Sequence, residues 1–183
     1  MSGTTPRPRD GDTDEGGLTH IDEQGRARMV DVTQKPLTRR VAVAKCVVAT
    51  EVGTARALSA SDEGLDIVEA ARFAGIQAAK QTASLIPLCH PIRIHRVRVD
   101  IVVETHHFAV SAVTEIVERT GVEMEALTAC AVAALTLFHS LLEIDASASI
   151  EALTLWHKSG GRSGEWERTG PEGRMTHHEG DAP

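Results

Sequence analysis

The sequence contains no tyrosine, and aromatic residues make up only 3% of its 183 positions. Its three cysteines, Cys46, Cys89 and Cys130, form no CxxC pair, which argues against a structural zinc site. Their odd number argues against a disulfide framework and favours a reducing, cytoplasmic location. A net charge of −7 argues against a general nucleic-acid-binding surface, although local cationic clusters can still bind a small anion.

Both ends of the sequence are polar. Residues 1–17 and 167–183 are rich in Pro, Gly, Thr and charged side chains, and we predict a disordered arm and tail around one domain over residues 18–166. The arm has no apolar segment of the kind that secretory signals carry. The apolar stretch over residues 126–144 is interrupted by polar residues, so we predict a buried core helix and no membrane association.

The hydrophobic pattern predicts the element order β-α-β-β-α-β. Strands are expected over residues 40–51, 92–104, 108–118 and 147–157, with a short helix over 54–60 and long helices over 65–85 and 122–143. This order is typical of an α+β, ferredoxin-like fold, in which an antiparallel sheet carries two helices on one face. Because the second long helix is apolar nearly all round, we predict that another subunit covers its outer side.

Two carboxylates, Glu123 and Glu125, lie in the first turn of that helix. They are roughly 200° apart around the helix axis, so at most one of them faces a given pocket unaided. Compensation of the helix dipole and acid/base catalysis both explain them. Further along the helix, His139 is either a hydrogen-bonded core or interface residue or a proton carrier that shares a face with Glu125, roughly 21 Å away.

Two loops carry further candidates. Cys89 and His90 lie in a turn between a helix and a strand, where His90 is either a proton shuttle or a histidine bonded to backbone. The loop that begins at Lys158 contains three glycines and Arg162, and is either an anion-binding loop or a flexible basic tail. No metal site is predicted at the histidine pairs His106–His107 and His177–His178. Other candidates for anion binding are Arg26, Arg28, Arg39, Lys80 and Arg119.

Several of these motifs, in this order, resemble the cyclic pyranopterin monophosphate synthases, the MoaC family of molybdenum cofactor biosynthesis. The resemblance covers nearly the whole predicted domain. It rests on residues 18–22 (LTHID), 28–32 (RMVDV), 74–80 (AGIQAAK), 85–91 (LIPLCHP), 120–129 (TGVEMEALTA) and 158–164 (KSGGRSG).

The resemblance implies a hexamer built from three dimers, with active sites at the dimer interfaces. It implies a substrate made from GTP, a cyclised dihydroguanosine triphosphate, which is rearranged to cyclic pyranopterin monophosphate with release of pyrophosphate. The implied chemistry is acid/base, with no cofactor and no metal. The implied catalytic set is His139, Lys158 and Glu123, and the predicted substrate-binding residues are Leu88, Cys89, His90, Met124, Glu125, Arg39, Arg119 and Arg162.

The sequence departs from the family pattern at three positions. The family's catalytic aspartate falls on His139, one lysine falls on Leu142, and another falls near Gly64, while Arg119 keeps the charge of a further lysine. Positioned acid/base groups each contribute roughly 10²–10⁴-fold to rate, so three hypotheses stay open. The protein is a working synthase with rearranged acid/base residues, or an impaired paralogue that binds a purine triphosphate or serves as a structural or regulatory subunit, or a lyase for a different purine triphosphate.

Overall fold

A computed structural model describes residues 20–22 and 24–169. The predicted arm, the pair His177–His178 and most of the predicted tail lie outside these residues. The chain divides into two units between Val30 and Asp31. In the first unit, Ile21 and Ala27 form an antiparallel bridge, and the Asp22 carboxylate accepts a hydrogen bond from the backbone N–H of Arg26 at 2.9 Å.

The second unit is a five-stranded antiparallel sheet with the strand order β2-β3-β1-β4-β5 and helices packed on it. This order confirms the predicted α+β, ferredoxin-like architecture. The elements are β1 (Thr38–Ala49), α1 (Thr54–Ser59), α2 (Asp62–Lys80), α3 (Thr82–Leu85), β2 (Arg96–Val103), β3 (His107–Glu118), α4 (Glu123–Leu141), β4 (Ser149–Ser159) and β5 (Trp166–Glu167).

The core lies between the sheet and α4, and small side chains dominate it. Ala126, Ala129 and Ala133 of α4 are fully buried against the alternating inward residues of β1 and β3. A Cβ at Gly75 of α2 would lie 2.7 Å from the carbonyl oxygen of Ala129, so the backbones of the two helices approach closely there. Among the described helices, α4 alone is long and apolar enough to cross a membrane, and half of that stretch is buried in this core.

Two cysteines that are distant in sequence meet in the core. The Sγ atoms of Cys46 on β1 and Cys130 on α4 lie 3.2 Å apart, and both are free thiols. Their hydrogen bond, together with burial, raises the pKa of Cys130, so the thiol stays protonated. The pair therefore behaves as buried apolar packing.

The antiparallel connections give the unit two distinct ends. At one end, which we call the Glu123 end, β1 and α4 begin while β3 and β4 finish, as the pairings Thr38–Glu118 and Val41–Ser159 show. At the other, the Leu141 end, β1 and α4 finish while α2 and β4 begin. There the Asp145 carboxylate accepts the backbone N–H of Glu51 at 2.6 Å.

The bounds predicted for the first long helix, residues 65–85, were wrong. The helix begins at Asp62, because the Ser61 hydroxyl accepts the N–H of Gly64 at 3.0 Å and caps it. It ends at Lys80, and α3 follows as a separate turn. The buried Thr82 hydroxyl bonds to the carbonyls of Ala78 and Ala79, and such side-chain bonds compete with the continuing helix.

The strand bounds also differ from the prediction, by two residues at each end of β1 and by up to four in β2 and β4. β2 begins at Arg96 rather than at residue 92, and β4 begins at Ser149 because Asp145 and Ser147 form a side-chain-bonded turn before it. β4 also ends later than predicted, at Ser159, so Lys158 lies in a strand rather than in a loop. β5 was not predicted; beyond it, Arg168 donates its backbone N–H to Trp156 at 2.8 Å. The tail predicted from residue 167 stays a prediction for the residues outside the structure.

Candidate active site

The first turn of α4 buries a carboxylate. Glu125 is only 4% exposed, and it lies among apolar residues at the start of the helix. Burial disfavours its charged form and raises its pKa to about 7, and the charge of nearby Glu123 contributes in the same direction. Glu125 is therefore poised to gain or lose a proton near neutral pH, as a general acid or base must be.

Glu123 faces a different group. Its Oε1 lies 3.4 Å from the Nζ of Lys158, and about a third of each side chain is exposed. Lys158 is held opposite Ala42 on one side and Trp166 on the other, because β4 runs between β1 and β5. The structure thus places Lys158 beside Glu123, and Glu123 within electrostatic reach of Glu125, while Glu123 is partly exposed and Glu125 is buried.

The turn after α3 lies beside this cluster and is strained. Leu88 has φ +68°, a left-handed conformation that is unfavourable for a residue with a γ-branched side chain. Burial raises the pKa of the Cys89 thiol, and the Glu125 carboxylate raises it further. Cys89 therefore lies within electrostatic reach of Glu125 and carries its proton at neutral pH, which makes it a poor nucleophile. His90 is half-buried in the same turn.

The predicted anion-binding arginines differ in their surroundings. The Nε of Arg39 lies 2.6 Å from Glu115, and this contact lowers the pKa of the Glu115 carboxyl. Arg119 donates to the backbone carbonyls of Thr33, at 3.1 Å, and Lys35. Both guanidinium groups are at the Glu123 end, but they bind protein groups there. Arg162, exposed after the glycine turn, and Met124, 37% exposed beside Glu125, complete the set at this end.

His139 lies elsewhere. It is exposed in the last turn of α4, roughly 21 Å along the helix from Glu125. Leu142, 50% exposed, follows it, and Gly64 lies in the first turn of α2. All three positions are therefore at the Leu141 end, whereas Glu123, Glu125 and Lys158 are at the other end of the same chain.

Two residues of this region were missed in the sequence analysis because their role depends on long-range contacts. Arg40 of β1 donates to the carbonyls of Glu118 and Arg119, at 3.1 and 3.0 Å. The buried Thr114 hydroxyl of β3 donates to the carbonyl of Val122 at 3.0 Å. Both side chains anchor the loop that leads into α4, and neither belongs to a motif.

Comparison with known proteins gives consistent matches. A model of the MoaC family matches residues 29–161. The cyclic pyranopterin monophosphate synthase of Thermomicrobium roseum is 48% identical over 160 residues, which cover 86% of this chain and 96% of that protein. In Mycobacterium tuberculosis, cyclic pyranopterin monophosphate synthase 1 is 50% identical over 83% of this chain and 91% of its own length. Synthase 2 of that organism is 45% identical over 84% and 92%.

The strain at Leu88 gives a stability test. In urea unfolding, we expect the free energy of unfolding of Leu88→Gly to exceed that of Leu88→Ala by about 1 kcal/mol. The reason is that glycine adopts a positive φ without a Cβ penalty. At Leu85, in the helical turn of α3, the order should reverse, since glycine is the poorer helix former. If Leu88→Ala is as stable as Leu88→Gly, the strain is absent.

Proposed function

This chain belongs to the MoaC family, and on that premise we propose that it is a lyase of molybdenum cofactor biosynthesis. Its reaction would convert the cyclised dihydro-GTP intermediate into cyclic pyranopterin monophosphate and pyrophosphate. The observation that carries the proposal is the buried Glu125, with a pKa of about 7, beside Glu123, Lys158 and the turn of Cys89. None of the comparisons favours an impaired paralogue or a different purine triphosphate.

The residues at this end can supply acid/base chemistry. Protonated Glu125 can donate to a leaving or ring nitrogen and take the proton back in a later step, because its pKa lies near the working pH. Lys158 lies at the surface of the same cluster, about a third exposed, and would bind the phosphates. Cys89, His90 and Met124 would line the pocket that holds the purine-derived ring.

The distribution of charge supports an anionic substrate. Although the chain is acidic overall, cationic side chains gather at the Glu123 end: Arg39, Arg40, Arg93, Arg96, Arg119, Lys158 and Arg162. The same end also holds the carboxylates Glu115, Glu118, Glu123 and Glu125, whereas most charged residues at the Leu141 end are carboxylates: Glu51, Glu104, Glu143, Asp145 and Glu151. A local cluster of cations of this kind can attract a triphosphate to the Glu123 end.

A second copy of the chain would complete the site. His139 cannot reach Glu125 within one chain, because the helix between them is roughly 21 Å long. Apolar side chains near His139 are exposed, among them Leu135 at 55%, Leu142 at 50% and Ile144 at 59%. We therefore propose dimers in which the Leu141 end of one copy approaches the Glu123 end of another, assembled into a hexamer. A cytoplasmic location stays a prediction from the sequence.

Anaerobic turnover of the cyclised dihydro-GTP intermediate tests the activity. We expect the native protein to release pyrophosphate and pterin product above background. Restoring the family residues with His139→Asp and Leu142→Lys should raise kcat, by roughly 10-fold or more, because both are proposed proton-transfer positions. Leu135→Lys, which adds the same charge at a similarly exposed leucine, is the control. Turnover by the restored variant alone would contradict native synthase activity.

The raised pKa of Glu125 predicts a pH dependence. The folded state binds this proton more tightly than the unfolded chain, so its stabilising effect is full below pH 4.5 and is lost as pH rises through about 7. Glu125→Gln should remove this pH-dependent loss, by up to ~3 kcal/mol between pH 5 and 8 in urea unfolding. Glu123→Gln removes a negative charge near Glu125, so it should lower the pKa of Glu125 that appears in the pH profile of kcat/KM. An unchanged pH dependence of unfolding in Glu125→Gln would contradict the assignment.

Complementation tests the shared site. Glu125→Gln and His139→Leu should each lose most activity when expressed alone. Co-expressed, they should recover about a quarter of native activity, because half of random dimers are mixed and each mixed dimer holds one intact site. Sedimentation should give a mass near six subunits. No recovery, or a monomer, would place the complete site within one chain.

A further inference from the structure

Arg40 connects two segments of the Glu123 end. It lies near the start of β1 and is half-buried. Its Nε donates to the carbonyl of Glu118 at 3.1 Å, and its Nη2 donates to the carbonyl of Arg119 at 3.0 Å. Two donors of one planar guanidinium therefore bind successive carbonyls of the loop that ends in Glu123, a geometry that the single ammonium of lysine cannot reproduce.

The same guanidinium supports the turn after β4. Gly160 and Gly161 both have positive φ, +92° and +73°. A Cβ at Gly161 would collide with the Nη1 and Cζ atoms of Arg40, and a Cβ at Gly160 would collide with the carbonyl oxygen of Arg39. Positive φ favours glycine at both positions, and the turn that follows Lys158 rests directly on the β1 backbone and on the Arg40 side chain.

Glu123 and Lys158 lie a few residues from these two segments. Glu123 follows the carbonyl acceptors by four or five residues, and Lys158 precedes Gly161 by three. The other anchor of this loop, Thr114, bonds only to the carbonyl of Val122 and does not reach the glycine turn. Backbone pairing of β1 with β3 and β4 places the two segments at the same end, and Arg40 adds a side-chain bridge between them, close to the 3.4 Å contact of Glu123 with Lys158.

We propose that Arg40 is a positioning residue that sets the geometry of the Glu123–Lys158 pair through the backbone rather than by binding the substrate. The proposal rests on the proposed function of this end as the substrate site. It assigns to Arg40 a role that its sequence neighbour Arg39, which pairs with Glu115, does not share.

The test compares Arg40→Lys with Arg98→Lys. Both changes keep the charge, and Arg98 is a strand arginine that pairs with Asp100 at 2.8 Å on β2. We expect Arg40→Lys to lose hydrogen-exchange protection at the amides of residues 119–126 and to bind inorganic pyrophosphate about 10-fold more weakly. Its kcat should fall about 10-fold or more per folded molecule, because small displacements of catalytic groups are costly. Arg98→Lys should leave all three measurements unchanged.

A double-mutant cycle tests the second contact. Gly161→Ala should destabilise the native protein more than it destabilises Arg40→Ala, because removing the guanidinium removes the collision and leaves only the strained φ. Additive effects would overturn the bridging role. Weaker pyrophosphate binding by Arg40→Lys with unchanged amide protection would also overturn it, since Arg40 would then be a direct ligand. Amide protection and the cycle need no substrate, so they decide the role of Arg40 even if the native protein shows no turnover.

Discussion

The packing of α4 against the sheet is the constraint on which the rest of the structure depends. With very few aromatic residues available, the core reaches close packing through alanines such as Ala126 and Ala129, which let the helix approach the sheet and α2 closely. Such a core tolerates little displacement of the helix. Side chains in the first and last turns of α4 are therefore fixed by the same contacts that stabilise the fold.

This packing determines the chemistry of Glu125. Glu125, in the first turn of the helix, is only 4% exposed, so its carboxylate is largely withdrawn from water. Burying a charged carboxylate costs free energy. Among the described residues no cation pairs with Glu125; instead, burial raises its pKa, which favours the neutral form. Lys158 pairs with Glu123, which is partly exposed, and so leaves Glu125 free to exchange its proton.

The element order and the location of the carboxylates could be predicted from the sequence, because alternation and helical spacing are local signals. The separation of Glu123 and Glu125 around the helix followed from geometry alone. The break at Thr82 and the delayed start of β4 at Ser149 could not, since they arise from side-chain bonds to particular carbonyls and amides. The anchoring roles of Arg40 and Arg119 were equally hidden, because their acceptors are backbone groups that carry no sequence signature.

The departures from the family pattern acquire a physical meaning from their location. His139, Leu142 and Gly64 lie at the Leu141 end, roughly 21 Å from Glu125 along α4. At that distance a change of charge has little effect on the pKa of Glu125 or on the Glu123–Lys158 contact within one chain, since screening by salt is already strong. The two ends of the unit can therefore change independently. A substitution at the Leu141 end would therefore alter chemistry only through the proposed dimer, in which that end approaches the Glu123 end of another copy.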